Sequence, residues 1–180
     1  MMLKCRNIKI NLALEEPVDF GLLHCQQFEF VEKKTCFTLR PLYLDCVITI
    51  YKHGPKNLHI TGIRSSSMVK EVFFFVENIL GTKALTFEIN NSMFCGKLDH
   101  HVKISYIVRE IERNCSFYNC HFCEEIFPAL FIKPTIEKRK EGVPTILLFP
   151  NGSFIIMGAK NVIRVKHAFM FLTHLTKKYT

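Results

Sequence analysis

Ile126-Phe127-Pro128-Ala129-Leu130 and, beyond a charged insert, Ile146-Leu147-Leu148-Phe149-Pro150-Asn151-Gly152-Ser153-Phe154-Ile155-Ile156-Met157-Gly158-Ala159-Lys160 form the stretch from which the fold is read. Phe127 opens an apolar strand. Phe149 closes the next one, just before an Asn-Gly dipeptide of the kind that favours tight reversal. A third strand, Phe154 to Met157, stops at Gly158-Ala159-Lys160, where a helix begins. Lys138-Arg139-Lys140-Glu141-Gly142, inside the insert, reads as a solvated hairpin tip, with a phosphate contact as the alternative.

Outward from this stretch, one order of elements occurs twice. Residues Asn7 to Leu14 alternate, with Ile8, Ile10 and Leu12 on one face and Asn7, Lys9 and Asn11 on the other, the pattern of a half-buried strand. Pro17-Val18-Asp19 opens a short helix expected to run to about Phe28. Cys36 to Leu39, Cys46 to Tyr51 and Leu58 to Thr61 read as strands, with a turn at His53-Gly54-Pro55-Lys56-Asn57. Ser65-Ser66 caps a helix that carries Met68, Val69, Val72, Phe73, Val76, Ile79 and Leu80 on one face and ends at Gly81. The order then restarts. Phe87 to Cys95 is a strand, and Asp99 stands near a helix bearing Ile104, Ile107, Val108 and Ile111. The strands around the insert follow. A last helix, from about Asn161 to Lys177, turns Val162, Val165, Phe169, Leu172 and Leu175 inward. Each half is strand, helix, three strands, helix. If the helices cover one face of each sheet, the other stays open, and two halves side by side make one curved sheet.

The bulk numbers bound the partners. Nearly half of the 180 residues are apolar, enough for a sizeable core, and the net charge of +8 suits an anionic partner such as nucleic acid. Eight cysteines and the Asn-x-Ser sequons at Asn90, Asn114 and Asn151 raise a secreted disulfide protein. Met1-Met2-Leu3-Lys4-Cys5-Arg6 leads into no apolar signal region, so an intracellular chain with reduced thiols is expected. The longest apolar run, Val72 to Val76, is too short to span a membrane. No phosphate loop, nucleophile motif or paired acid and base stands out, and the chain reads as a non-enzyme. Cys115, Cys120, His121 and Cys123 have ligand-like spacing, but no second Cys-x-x-Cys accompanies them. No metal and no cofactor is expected.

The quoted stretch resembles the second repeat of the TATA-box-binding protein (TBP) core domain. There the matching run is a phenylalanine-proline strand, a strand ending in phenylalanine before a glycine turn, and a strand ending in Thr-Gly-Ala-Lys. The resemblance implies an α+β, TBP-like saddle: two pseudo-twofold repeats, 1–82 and 83–180, forming one curved antiparallel sheet with helices on the convex face. It also implies roles. Asn91, in Phe87-Glu88-Ile89-Asn90-Asn91, looks like the asparagine that hydrogen-bonds base edges, and Asn7 like its partner in the first repeat. Phe127 and Phe149 match the intercalating pair of the second half. Tyr51 and Phe37 stand nearest to the first-half pair, with Cys36 or an earlier residue as the alternative to Phe37. Thr61-Gly62-Ile63-Arg64 stands in place of Thr-Gly-Ala-Lys. Glu125 and Ile126 match the stirrup residues that similar proteins offer to transcription factor IIB.

The chemistry fits those residue types. The minor groove presents mainly acceptors at A·T pairs, to which an asparagine amide donates. Aromatic wedges unstack a base step and kink the duplex. The alternation also predicts an asymmetry. Met93, Leu147, Ile155 and Met157 would face the groove in the second half, and Lys9, Thr49, His59 and Thr61 in the first. The resemblance thus implies a divergent transcription initiation factor. It would act in the nucleus, or at the site of viral transcription, and would bind double-stranded promoter DNA, a transcription factor IIB-like protein and the RNA polymerase machinery. A scaffold subunit that makes only protein contacts is the alternative favoured by the polar first half. An accessory domain of a nucleic-acid-processing enzyme is the third.

Overall fold

The computed structural model describes residues 3–22 and 28–177. The architecture is mixed α+β with antiparallel strands, and it divides into two compact units.

The first unit spans Arg6–Asn90. Its strands are β1 (Lys4–Leu14), β2 (Phe28–Glu32), β3 (Cys36–Pro41), β4 (Val47–Tyr51) and β5 (Gly54–Ile63), in the spatial order β2-β3-β4-β5-β1. Helix α1 (Ser66–Ile79) follows. The period of two sorts the side chains. Ile10, Ile60, Ile48 and Leu39 are register partners from strand to strand and are almost fully buried. They share a core with Val72, Phe75, Val76 and Leu80 of α1. Each such side chain stabilises the fold by about 1.5–3 kcal/mol relative to exposure. The Ser65 hydroxyl accepts from the Met68 N–H at 3.3 Å and so caps α1. Beyond Leu80, Gly81 takes a φ of +66° and releases the chain.

The second unit comprises Met1–Cys5 and Asn91–Thr180. Its sheet order is β6 (Ala84–Lys97, whose residues from Asn91 on belong to this unit), β10 (Ser153–Met157), β9 (Thr145–Leu148), β8 (Phe127–Pro134), β7 (Tyr118–Cys123). Helices α2 (Ile104–Asn114) and α4 (Val162–Lys177) lie over one face. Ile104, Ile107 and Ile111 of α2, with Val165, Ala168, Leu172 and Leu175 of α4, pack on Leu130, Ile132, Ile146, Leu148, Phe154 and Ile156 of the strands. The Asn161 side chain accepts from the Arg164 N–H at 2.9 Å and caps α4.

The structure departs from the sequence reading at five places. The helix expected from Pro17 to Phe28 is a single 3-10 turn, Phe20–Leu22, and Phe28 already belongs to β2; residues 23–27 lie outside the described ones. Each half therefore has four strands after its first helical element, because β2 and β7 are not among the strands expected from the sequence. The expected hairpin tip is a five-residue helix, α3 (Ile136–Lys140), that buries no side chain. Val162 does not point inward: it sits at the first turn of α4 and is exposed, and Ala168 fills the position facing the sheet. Phe75 is fully buried beside the expected face of α1. Among the described residues, no helix is long and apolar enough to cross a membrane.

Candidate nucleic-acid interface

In each unit the sheet face opposite the core carries no helix of its own core cluster, and register fixes which side chains line it. In the second unit, His121, Phe131, Leu147, Ile155 and Cys95 are successive partners across five strands. Met93, Met157 and Thr145 form the neighbouring row. Leu147 is buried, whereas Met93, Ile155 and Met157 are half-buried. The expected groove-facing set is thus brought together on one face. Phe131 and Cys95 belong to it and were missed. The signal for Phe131 was present, since it lies four residues along the same strand from Phe127.

At the end of this face Phe127, Phe131 and Phe149 form an aromatic cluster. Phe127 lies 6.0 Å from Phe149 edge to face and 5.5 Å from Phe131. Phe127 keeps 38% of its surface in solvent. Phe149 is positioned by the hairpin that follows. Its N–H donates to the Ser153 carbonyl, its carbonyl accepts from Gly152, and Asn151 accepts from the Ser153 N–H at 2.9 Å. Between β7 and β8 a tight turn, closed by the Ile126 N–H on the Cys123 carbonyl, presents Glu125 and Ile126. Ile126 is 83% exposed, an isobutyl-sized apolar group held in water at a turn tip.

The first unit has the same framework and different chemistry. Asn11, His59, Thr49, Thr38 and Val31 are successive partners on its open face. Thr61 pairs with Val47 in the next row. Burial, and then the Lys9 ammonium, lower the pKa of His59, so its imidazole is held neutral to lower pH than usual. Tyr51 stands at the end of this face with its ring edge-on to His59 at 5.0 Å.

Phe37 is not on the open face. It pairs with Ile50, which is fully buried in the core, and its ring packs against Phe20 at 4.3 Å and Phe30 at 5.3 Å. Strand alternation assigns the open position opposite Tyr51 to Cys36, the alternative named from the sequence. The first half therefore lacks a phenylalanine pair like that of Phe127 and Phe149.

One device is built identically in both units. The Asn7 side-chain oxygen accepts from the Gly62 N–H at 2.8 Å, and the Asn91 oxygen accepts from the Gly158 N–H, also at 2.8 Å. Both glycines have positive φ, +95° and +88°, a conformation L side chains rarely adopt. At Gly62 a Cβ would also fall 2.8 Å from the Asp45 carbonyl oxygen. A backbone N–H must find an acceptor, so the oxygen of each amide faces its glycine. The amino group of each is thereby turned the other way as a donor, and among the described residues it makes no hydrogen bond.

The cysteine group near β7 is split by the strand. Cys120 packs on the helix side, its thiol 3.9 Å from the Val108 carbonyl, whereas His121 lies in the open-face row with Phe131. Among the described residues no group of three or more His, Cys, Asp or Glu is placed to hold a metal ion.

The family model for transcription factor TFIID, or TATA-binding protein, matches residues 86–179, a little over half of the chain. The chain belongs to the TATA-binding protein family. Its fold is also similar to that of the Methanococcus jannaschii TBP, with a TM-score of 0.74 over 99% of both chains at 16% identity. The fold class is therefore the TBP-like saddle implied by the sequence. No curated protein sequence matches the chain.

Proposed function

We propose that the chain is a transcription initiation factor that binds double-stranded promoter DNA in the minor groove through its open sheet faces. The observation that carries this reading is the pair of asparagines. In each half a glycine N–H consumes the amide oxygen and leaves a donor on the face, suited to the acceptors that A·T pairs present in the minor groove. The apolar row from Cys95 to Phe131 would lie along the groove floor, where it disfavours the exocyclic amine of guanine. Phe127 and Phe149 are the wedge that would unstack a base step at a cost of about a few kcal/mol and kink the duplex. Ile126, with Glu125, is the docking point for a transcription factor IIB-like protein and so for the polymerase machinery, in the nucleus or at the site of viral transcription.

A second reading has its own support. The polar first-half row, with no phenylalanine pair, suits a scaffold subunit that kept the fold for protein contacts. Fluorescence anisotropy with A·T-rich and G·C-rich duplexes, at low and raised salt, separates the two. The DNA-binding reading expects preference for A·T-rich duplex and an affinity that falls steeply with salt, because basic side chains displace condensed counterions. No binding to either duplex at low salt would leave the scaffold reading standing.

A further inference from the structure

The core face of the second unit carries a cleft that the open-face reading does not use. It has a volume of about 350 Å³ and lies where β7, α3 and α4 meet, at the small end of ligand-pocket sizes. Its floor is aromatic. Tyr118 is buried and stacks on Phe171 at 4.9 Å, while Phe117 at the edge is more than half exposed. Its rim is basic. Arg164 and His167, one turn apart on α4, enter from one side, and Lys138 of α3 from the other. Lys138 lies 5.0 Å above the Phe117 ring and pairs with Glu141 at 2.8 Å. Arg164 is half-buried, and its guanidinium has no carboxylate partner among the described residues. Helix α3 sits in the insert between β8 and β9, buries nothing of its own, and contributes to this rim.

We infer that this cleft is a docking site for an acidic peptide segment with an aromatic or branched apolar anchor. The anchor side chain would enter between Phe117, Tyr118 and Phe171. A carboxylate of the peptide would meet Arg164, for which a bidentate pair is the favoured geometry. Charge complementarity selects the peptide's sign: the one acid among the described residues of the rim, Glu141, is already paired with Lys138, which leaves the Arg164 guanidinium as the unpaired charge at the cleft. The aromatic floor selects a peptide over a DNA duplex, whose bases are paired and stacked inside and whose phosphates bring no apolar anchor to a cleft this small. Arg164 is half-buried, so its pairing is stronger than that of a surface charge and gives the site its selectivity.

The test uses the full chain and a fluorescein-labelled short peptide in which aspartates alternate with leucine and phenylalanine, read by anisotropy, with amide NMR spectra to locate it. Binding is expected to shift resonances of α3, α4 and Tyr118, and Arg164→Glu is expected to weaken it by about tenfold or more. Phe117→Ser, at an exposed position where the fold has little at stake, should also weaken it. A peptide with lysine in place of aspartate should bind Arg164→Glu better than the parent protein. The inference is overturned if the acidic peptide does not bind, if its shifts map elsewhere on this basic protein, or if Arg164→Glu binds it unchanged. It is equally overturned if a short DNA duplex, and not the peptide, perturbs the α3 and α4 resonances. None of these outcomes depends on the open faces binding DNA.

Discussion

Replacing Phe127 with alanine separates a wedge from a core residue, because the two roles predict different energies. Phe127 keeps 38% of its surface exposed, and its ring contacts are with Phe131 and Phe149. Full burial of a phenylalanine stabilises by about 1.5–3 kcal/mol, so withdrawing roughly three-fifths of its surface amounts to about 1–2 kcal/mol. For a chain of this length that loss lowers Tm by about 2–8 °C. Phe154 is the internal control. It is fully buried at the centre of the second core and packs on Phe169 at 5.7 Å. Phe154→Ala should cost about 3–5 kcal/mol and lower Tm by about 6–20 °C. On end-labelled A·T-rich duplex, energy transfer should report that Phe127→Ala no longer bends DNA although it is folded. A Phe127→Ala protein that melts as low as Phe154→Ala would show that the ring is core. One that melts mildly and bends DNA as the parent does would remove the wedge from the mechanism.

Four further substitutions address other parts of the argument. Asn91→Asp keeps an oxygen for the Gly158 N–H and removes the donor, so thermal melts should be nearly unchanged while duplex binding weakens by about 1–3 kcal/mol; equal binding would discard the asparagine as a base contact. Gly152→Ala should destabilise by about 2–4 kcal/mol in chemical denaturation, because φ is +82° and its Cβ would fall 2.4 Å from the His100 carbonyl oxygen. Gly81→Ala, with φ +66° and nothing within 4 Å, should cost only the conformational penalty, about 1–2 kcal/mol. Burial, and then the Asp45 carboxylate, push the Cys46 thiol from 9.0 up to about 11. Between those values the unfolded chain has released a proton the folded one retains, so stability falls as pH rises through the window. Cys46→Ser should make that slope shallower, and an unchanged slope would refute the assignment.

The parts of the fold legible in the sequence are those in which one period or one cap dominates. Ser65 capped α1 as read, Gly81 ended it, and the alternation of Ile8 to Leu12 and of Phe154 to Met157 assigned faces that register then confirmed. The misreadings came from short segments. Phe28–Glu32 and Tyr118–Cys123 are outer strands of their sheets, partnered on one side within their own unit and mostly exposed in the first case, so they lack a clean apolar alternation. Phe37 was misplaced because residue type outweighed parity: a strand with Leu39 on the core face must send Phe37 to that face too. Phe131 was missed for the converse reason, since parity with Phe127 placed it and no motif named it. The asparagine device was legible only in half. The residues were singled out, but the glycine N–H that turns each amide comes from a strand end more than fifty residues away.

The two halves show why one fold can carry two unlike faces. In each unit the core is set by one parity of every strand: Ile10, Ile60, Ile48 and Leu39 in the first, Ile156, Ile146 and Ile132 in the second. These rows are chemically alike, and the helices read only them. The opposite parity contributes little to that packing, so it is free to differ: Asn11, His59, Thr49 and Thr38 against Cys95, Ile155, Leu147 and Phe131. Similarity of fold therefore constrains the first parity and leaves the second open. The asparagines belong to the second parity and are nonetheless alike, down to the hydrogen-bond length. Packing does not require that likeness, since an exposed side chain such as Asn91 adds little to a core. The glycine N–H at the end of each strand does account for it, since each finds its acceptor in the amide oxygen. The same bond leaves a donor of fixed orientation in each half, whereas the apolar row and the aromatic cluster are confined to the second. In the proposed minor-groove reading the second half would therefore distort the duplex, and the first half, without a phenylalanine pair of its own, would contribute directed hydrogen bonds.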